Sequence, residues 1–170
     1  MNIYLIGYRC TGKTTIGKIL AERLHRDYLD MDQAIEQQTG STISDLVQTH
    51  GWTYFRQVEK ETLLKTREIK DTVVSTGGGI VTDPESLIFL NKNGFTIWLD
   101  ADIETILSRL DSDPSTLSSR PSLTLNNLNK ETEELLETRK PLYEKAAHFK
   151  IETGLHTPQK IAALIKRRLF

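Results

Sequence analysis

The sequence has little cysteine, no long apolar run and no excess of basic charge. Cys10 is the single cysteine, so an internal disulfide is impossible and a reducing compartment is expected. No apolar stretch approaches the roughly 20 residues of a membrane-spanning helix, so we expect no membrane partner. The chain has 22 Lys and Arg against 23 Asp and Glu, a formal net charge of -1. This balance argues against a broad electrostatic surface for nucleic acid.

The remaining composition is that of a globular protein. Hydrophobic residues make up 38% and charged residues 26% of the 170 residues, and this length suits one domain over 1–170 with a substantial core. The first residues lead into an apolar run without the charged segment and cleavage site of a secretory signal. We therefore expect a cytoplasmic domain that acts as a monomer.

Short apolar runs alternate with segments of helical period. The runs predict strands at 3–6, 28–29, 73–76, 95–99 and 149–151. Helices are expected after each of the first four strands, and a terminal helix is expected to follow Thr157 and Pro158. Alternating strands and helices predict an α/β fold, with a parallel sheet covered by helices on both faces.

Several helix boundaries are also predicted. Asp32 is the expected N-cap of the helix that runs to Gln38. Another short helix, capped at Ser41 or Ser44, is expected to end near Gly51, and a longer one is expected over 52–69. Pro141 is expected to interrupt a charged helix over 130–143. The segment 111–127 shows no periodic spacing of apolar residues and is predicted to be a loop.

The segment from Gly7 to Thr14 matches the phosphate-loop pattern G-x-x-x-x-G-K-[ST]. Its two glycines permit backbone angles and close approach that a Cβ would block, and successive N–H groups can then surround an anion at a helix N-terminus. Lys13 would face the β- and γ-phosphates, and the Thr14 hydroxyl could bind Mg²⁺. A strand before the loop and a helix after it favour this function over a plain glycine-rich turn. Cys10 is expected to be a small filler within the loop.

A bound nucleoside triphosphate is compatible with a phosphotransferase or with a nucleotide-driven switch. Guanine-reading switches carry Asn-Lys-x-Asp after a strand. The nearest string, Asn91 to Gly94, lacks the aspartate and precedes a strand. The kinase is therefore the favoured class.

Two aspartates follow the second predicted strand. If Thr14 binds Mg²⁺, Asp30 or Asp32 could hold the waters of the ion while the other orients a hydroxyl or accepts its proton. Equally, Asp32 could be only a helix cap and Asp30 a solvated strand end. The sequence leaves both interpretations open.

An arginine and a run of glycines are the next candidates for an acceptor site. Arg56 and Glu59 lie on one helix face, and a surface ion pair, worth at most about 1 kcal/mol, gives the same pattern; on the pattern alone, that plain interpretation is favoured. The run Gly77, Gly78 and Gly79 follows a strand and is costly in backbone entropy. It suggests a bare strand end against which a ligand lies.

The remaining candidates are arginines in the second half of the chain. Arg120 lies in the predicted loop and could close on ATP as part of a lid, and Arg109 lies on the helix before it. A solvated arginine is the commoner case for Arg120. Arg139 lies among charged neighbours and is expected, on the pattern alone, to be solvated.

Together these residues resemble shikimate kinase. The matching motifs occur in the order and at the approximate spacings of that family, from residue 3 to about 165. They are the phosphate loop, Asp30-x-Asp32, Phe55-Arg56-x-x-Glu59, Gly77-Gly78-Gly79-x-Val81, Arg120-Pro121 and Arg139-x-x-x-Tyr143.

The resemblance implies a three-layer P-loop kinase fold similar to that of nucleoside monophosphate kinases. The fold has a five-stranded parallel sheet with helices on both faces, a lid at about 111–127 and a shikimate-binding region at about 32–60. The implied reaction converts ATP and shikimate to ADP and 3-phosphoshikimate, with Mg²⁺, in the pathway to chorismate.

The resemblance also implies roles for individual residues. Asp32 would act on the 3-hydroxyl, Arg56 and Arg139 would hold the shikimate carboxylate, and Glu59 would support Arg56. The glycines Gly77, Gly78 and Gly79 would contact the substrate. Lys13 and Arg120 would stabilise the moving phosphoryl group, Thr14 would bind Mg²⁺ directly, and Asp30 would bind it through water. The nucleotide-binding set is Gly7, Arg9, Cys10, Thr11, Gly12, Lys13, Thr14, Thr15, Arg109 and Arg120, with Arg109 packing on adenine.

Two alternatives remain at this point. Another small-molecule P-loop kinase, such as a gluconate or nucleoside monophosphate kinase, would share Lys13, Thr14 and a lid arginine. A nucleotide-binding partner protein would bind ATP without an acceptor. An adenine-side arginine that some family members carry after the last strand has no evident match near 152–157.

Overall fold

A computed structural model describes residues 1–112 and 128–169. Among these residues, five strands form one parallel sheet in the order β2-β3-β1-β4-β5. The predicted α/β class and sheet are therefore confirmed. The strands are β1 (Asn2–Ile6), β2 (Asp27–Asp30), β3 (Thr72–Ser75), β4 (Gly94–Asp100) and β5 (Phe149–Glu152).

Helices connect the strands and cover both faces of the sheet, as expected for parallel strands. One core layer packs β1 against the first and last helices, and the other packs the opposite face against helices from the middle and later parts of the chain. The helices are α1 (Lys13–Leu24), α2 (Met31–Thr39), α3 (Ile43–Lys65), α4 (Pro84–Lys92), α5 (Ile103–Ser112), α6 (Leu128–Ala146) and α7 (Pro158–Leu169).

Several predicted helix boundaries are wrong. Asp30, not Asp32, caps α2, because its side chain accepts from the N–H of Asp32. Thr42 caps α3 instead of Ser41 or Ser44. The predicted break near Gly51 is present as a non-helical residue with φ of 83° inside α3.

Two later helix predictions also need correction. The helix that begins after the break ends at Lys65 rather than near Ile69, and a 3-10 turn, Thr66–Glu68, follows it. Pro141 does not interrupt α6, which continues to Ala146. No helix within the described residues has the length and apolar character needed to cross a membrane.

Candidate active site

The loop after β1 has the backbone conformation of an anion cradle. Three of its residues have positive φ: Gly7 at 143°, Cys10 at 62° and Gly12 at 89°. A Cβ at Gly7 would overlap the carbonyl oxygen of Leu99 on the neighbouring strand, so only glycine fits there. Cys10 is partly exposed and lines the cavity in front of the loop.

The loop holds a buried cation at the N-terminus of α1. The Lys13 ammonium donates hydrogen bonds to the carbonyl oxygens of Gly7, at 2.8 Å, and Tyr8, at 2.6 Å. The Thr11 hydroxyl donates to the same Tyr8 carbonyl at 2.9 Å. A positive group therefore lies within the loop, where the helix dipole also favours an anion.

Asp30 is the centre of a hydrogen-bond cluster at the end of β2. Its Oδ2 atom accepts from the Thr14 hydroxyl at 3.0 Å and from the Tyr28 hydroxyl at 3.2 Å. Burial raises the pKa of Tyr28 to about 12, so this phenol remains protonated and can donate. Thr14 and Asp30 thus bring a hydroxyl and a carboxylate oxygen together, which is chemistry that suits Mg²⁺.

A cavity of about 570 Å³ lies in front of the loop and brings together residues predicted from distant parts of the sequence. Asp32 lies beside Asp30, and its backbone N–H donates to Asp30 Oδ1 at 3.1 Å. The predicted site residues that line this cavity are Arg9, Cys10, Gly12, Lys13, Thr14, Thr15, Asp30, Asp32 and Arg109.

A narrower recess adjoins this cavity and contains the predicted acceptor residues. Tyr8 and Arg9 from the phosphate loop form part of its wall. Its other lining residues are Ile43, Trp52, Phe55, Arg56, Glu59, Gly78, Gly79 and Arg139.

The Arg56–Glu59 pair lies inside the recess, so the surface interpretation of this pair is wrong. Arg56 Nη1 donates to Glu59 Oε2 at 2.5 Å, and the Glu59 side chain is 2% exposed. The guanidinium also lies over the rings of Trp52 and Phe55. Burial raises the pKa of Glu59, and the positive charges of Arg56 and Arg139 oppose that rise. The pair therefore holds the Arg56 guanidinium in place in the lining of the recess.

The three glycines have close neighbours: side chains of the recess at Gly77 and Gly79, and backbone of the phosphate loop at Gly78. A Cβ at Gly77 would overlap Glu59 Oε1, and a Cβ at Gly79 would overlap the Arg56 guanidinium. A Cβ at Gly78 would lie 3.3–3.4 Å from backbone atoms of the phosphate loop. The glycine segment therefore brings the acceptor recess directly against the phosphate loop.

Arg139 reaches the same segment from α6. It is 7% exposed, and its Nη1 atom lies 3.4 Å from the Gly78 carbonyl oxygen. The Tyr143 hydroxyl donates to that oxygen at 2.5 Å. The expectation of a solvated Arg139 is therefore wrong, and Arg139 and Arg56 lie in one recess.

Arg109 lies on the nucleotide side. Its guanidinium donates to the Cys10 carbonyl oxygen at 2.9 Å and to the Thr153 carbonyl oxygen at 3.0 Å. A further cavity begins here and is lined by Thr153, His156 and Pro158 after β5. Sequence reasoning found no residue in this segment, because neither a motif nor a periodicity distinguishes it.

Other side chains of the recess also escaped sequence analysis. Trp52 falls at the start of the helix expected over 52–69 and in no motif, and Tyr8 occupies a position that the phosphate-loop pattern leaves open. Arg120 and the proposed lid at about 111–127 fall almost entirely outside the described residues, as does 170.

Comparison with known proteins assigns the family. The family model described as shikimate kinase matches residues 9–170. The shikimate kinase of Persephonella marina is 40% identical over 168 residues, which is 99% of this chain and 98% of that protein. Shikimate kinase 2 of Photorhabdus laumondii is 38% identical and covers 99% of this chain and 95% of its own.

A solved structure gives the same result. The structure of shikimate kinase from Acinetobacter baumannii in complex with shikimate has a TM-score of 0.92 and 36% identity. The match covers 99% of this chain and 92% of that one. On sequence and on fold, over nearly the whole length, the chain belongs to the shikimate kinase family.

Proposed function

We propose that this chain transfers the γ-phosphoryl group of ATP to the 3-hydroxyl of shikimate, giving ADP and 3-phosphoshikimate on the route to chorismate. Membership of the shikimate kinase family gives the reaction class, phosphoryl transfer to shikimate. One observation carries the assignment of this site. The glycine segment lies against the phosphate loop and also against two guanidiniums, those of the partly buried Arg56 and the buried Arg139.

The phosphate loop supplies the nucleotide side of the proposed site. Backbone N–H groups over 7–15 would bind the phosphates, and Lys13 would neutralise charge on the transferred group. Thr14 and Asp30 would hold Mg²⁺, directly and through water. The ion supplies charge neutralisation at the phosphates when it is bound. The Thr14 hydroxyl and an Asp30 carboxylate oxygen lie 3.0 Å apart, and two such oxygen groups with water and phosphate oxygens form a donor set that suits Mg²⁺.

The recess supplies the acceptor side of the proposed site. The expected shikimate-binding region at about 32–60 forms part of this side, and later segments of the chain form the rest. Arg56 and Arg139 would bind the shikimate carboxylate, since a guanidinium fork matches a carboxylate. Glu59 would keep Arg56 in one orientation, and Gly77 to Gly79 would contact the ring. Asp32 would align the 3-hydroxyl or accept its proton. Phosphoryl transfer depends mainly on such positioning and charge neutralisation.

Three assignments complete the proposal. Arg109, held against the loop and Thr153, would lie beside adenine. Arg120 would act as a second cation on the phosphoryl group, carried by the lid. We further propose that the chain works as a cytoplasmic monomer with Mg²⁺ and ATP.

The test is acceptor-dependent release of ADP. Purified protein with ATP and Mg²⁺ should release ADP with shikimate, and not with gluconate or nucleoside monophosphates. Phosphorus NMR of the product should place the phosphate on the 3-oxygen. No turnover with shikimate would overturn the assignment, and turnover with another acceptor would replace it. Nucleotide binding without any acceptor-dependent release would indicate a partner protein instead.

A further inference from the structure

Arg9 lies at the boundary between the two cavities. It occupies a position in the phosphate loop where the G-x-x-x-x-G-K-[ST] pattern specifies no side chain. Arg9 is among the residues that line the nucleotide cavity and also among those that line the acceptor recess. The Arg9 residue is only 9% exposed, so the guanidinium is part of the wall and does not extend into solvent.

Two groups fix the Arg9 guanidinium in that wall. Its Nη2 atom donates to Oε1 of Glu131 at 3.1 Å, and the Glu131 side chain is fully buried on α6. The guanidinium carbon lies 5.5 Å from the centre of the Tyr8 ring. A buried ion pair contributes little net stability, so stability alone is a weak explanation for it. A guanidinium has five N–H donors, and the bond to Glu131 occupies one of them.

The surroundings of Arg9 favour a bound anion. Arg139 lies over the same Tyr8 ring, with its guanidinium carbon 5.9 Å from the ring centre. Arg9 and Arg139 also both line the acceptor recess, so an anion in the recess would be attracted by two positive charges. The backbone nitrogen of Arg9 lies close to Gly78, 3.4 Å from where a Cβ of that residue would be, and here the recess meets the phosphate loop. A phosphoryl group passing from nucleotide to acceptor must cross this boundary.

We propose that Arg9 is a catalytic residue that binds the phosphoryl group during transfer and the new phosphate of the product. In the step, a bond forms between the acceptor oxygen and the γ-phosphorus, and the bond from phosphorus to the bridging oxygen of ADP breaks. ADP keeps that electron pair, the hydroxyl proton passes to a base for which Asp32 is the candidate, and Arg9 stays protonated. Glu131 and Tyr8 are positioning residues. This inference rests on the proposed function.

The experiment compares binding of 3-phosphoshikimate with binding of shikimate. Trp52 lines the recess, so tryptophan fluorescence and calorimetry can measure both ligands. In Arg9→Met, kcat should fall about 10²-fold, and the dissociation constant of 3-phosphoshikimate should rise about tenfold or more. That of shikimate should change less than about threefold, because shikimate has no phosphate. Arg9→Lys should restore part of the product affinity, and Glu131→Gln should lower it less than Arg9→Met does.

A matched control keeps the comparison specific. Arg67 lies over the Phe89 ring at the same 5.5 Å distance, outside both cavities. Arg67→Met should leave kcat and both affinities at the parental values. If thermal melting shows that Arg9→Met does not fold, the affinities of Arg9→Lys and Glu131→Gln for 3-phosphoshikimate test the proposal instead.

Two outcomes would overturn the inference about Arg9 alone. Equal loss of affinity for shikimate and 3-phosphoshikimate would show a structural role in the loop. If every Arg9 and Glu131 variant bound 3-phosphoshikimate with the parental affinity, Arg9 would have no role in binding the product. Failure of the parent protein to bind either ligand would instead overturn the proposed function, and this inference with it.

Discussion

The phosphate loop and the acceptor recess meet at Gly78, but they are built in opposite ways. The loop is one strand-to-helix turn of consecutive residues, and its anion donors are mainly backbone groups. The recess collects Arg56 from α3, Gly78 from the end of β3 and Arg139 from α6. Its donors are side chains that need partners to hold them. We therefore expect the locally built loop to bind phosphate and the recess, which is assembled from distant segments, to select the acceptor.

The charges of the two regions differ in the same way. The Lys13 ammonium is held by carbonyl oxygens of its own loop, so its position depends on local backbone. The Arg56 guanidinium is held by a buried carboxylate and two aromatic rings. Substitutions in the loop should therefore affect turnover with any acceptor, and substitutions in the recess should affect shikimate specifically.

The largest effect is expected for Lys13→Ala. Removing this cation takes a positive charge from the transferred phosphoryl group, so kcat should fall by about 10³-fold or more. Shikimate binding should stay close to the parental value, because Lys13 does not line the recess. Coupled ADP release gives kcat, and fluorescence titration gives shikimate affinity.

Lys18→Ala is the matched control, because Lys18 is exposed on the same helix, with its ammonium 5.9 Å from the Tyr28 ring. Its kcat should equal that of the parent. A near-parental kcat for Lys13→Ala would contradict the expectation that substitutions in the phosphate loop affect turnover.

Arg56→Ala should give the next largest effect, on the acceptor side. Loss of the guanidinium removes a bond to the shikimate carboxylate and leaves Glu59 buried without its partner. The loss should be at least about 2 kcal/mol, which is roughly 30-fold in the KM for shikimate. The KM for ATP should change little, and initial-rate kinetics with each substrate varied will separate the two.

Arg56→Lys tests whether geometry or charge matters at this position. Lysine keeps the charge but lacks the planar fork, so a KM between those of the parent and Arg56→Ala is expected. Arg56→Ala kinetics that match the parent would show that the carboxylate is bound elsewhere.

The same contrast explains how much could be predicted from the sequence. The phosphate loop was predictable because spacing along the chain fixes its geometry, from Gly7 through Lys13 to Thr14. The order of strands and helices was predictable for a similar reason, because it follows from the spacing of apolar residues within short segments of the chain. The cap of α2 was not, because Asp30 and Asp32 are both suitable N-cap residues and only the structure shows that Asp30 Oδ1 accepts from the Asp32 N–H.

Burial could not be predicted for the arginines of the recess. Arg139 is surrounded in sequence by charged neighbours and looks solvated, and only the packing of α6 against Gly78 reveals that it is buried. Arg56 and Glu59 have the spacing of any surface pair. The resemblance to shikimate kinase pointed to these residues, whereas Glu131 and Tyr8 came from the structure alone.

A smaller effect is expected from Gly79→Ala, which tests the fit of the glycine segment. The added Cβ would overlap the Arg56 guanidinium, so Arg56 must move away from the position proposed for carboxylate binding. A displacement of about 1 Å can matter greatly in a positioned site, and we expect the KM for shikimate to rise about tenfold with a smaller change in kcat.

Gly40→Ala is the control for this substitution. Gly40 has a φ of 68°, but a Cβ there would meet no atom within 4 Å. That variant should lose about 1 kcal/mol of stability from backbone strain while its KM stays parental. Equal KM values for both variants would show that the Gly79 contact does not position Arg56.

The smallest effect, and the one that separates stability from function, is expected for Glu59→Gln. Burial raises the pKa of Glu59 in the folded protein above its ordinary value near 4.5. Between that value and the raised pKa, the folded state binds more protons than the unfolded state, so the free energy of unfolding falls as pH rises. Glutamine removes this dependence. The variant should therefore gain stability relative to the parent as pH increases from 4 to 8, measured by urea unfolding.

The same substitution should weaken shikimate binding, because a neutral amide holds the Arg56 guanidinium less firmly than a carboxylate does. A protein that is more stable at pH 8 yet has a several-fold higher KM would show that the buried charge is retained for acceptor binding. If the stability difference between variant and parent stays constant across this pH range, Glu59 titrates alike in the folded and unfolded states. If KM is also unchanged, the Arg56–Glu59 pair has no part in positioning the acceptor, and the contrast between a locally built loop and a recess that depends on partners would not hold at this pair.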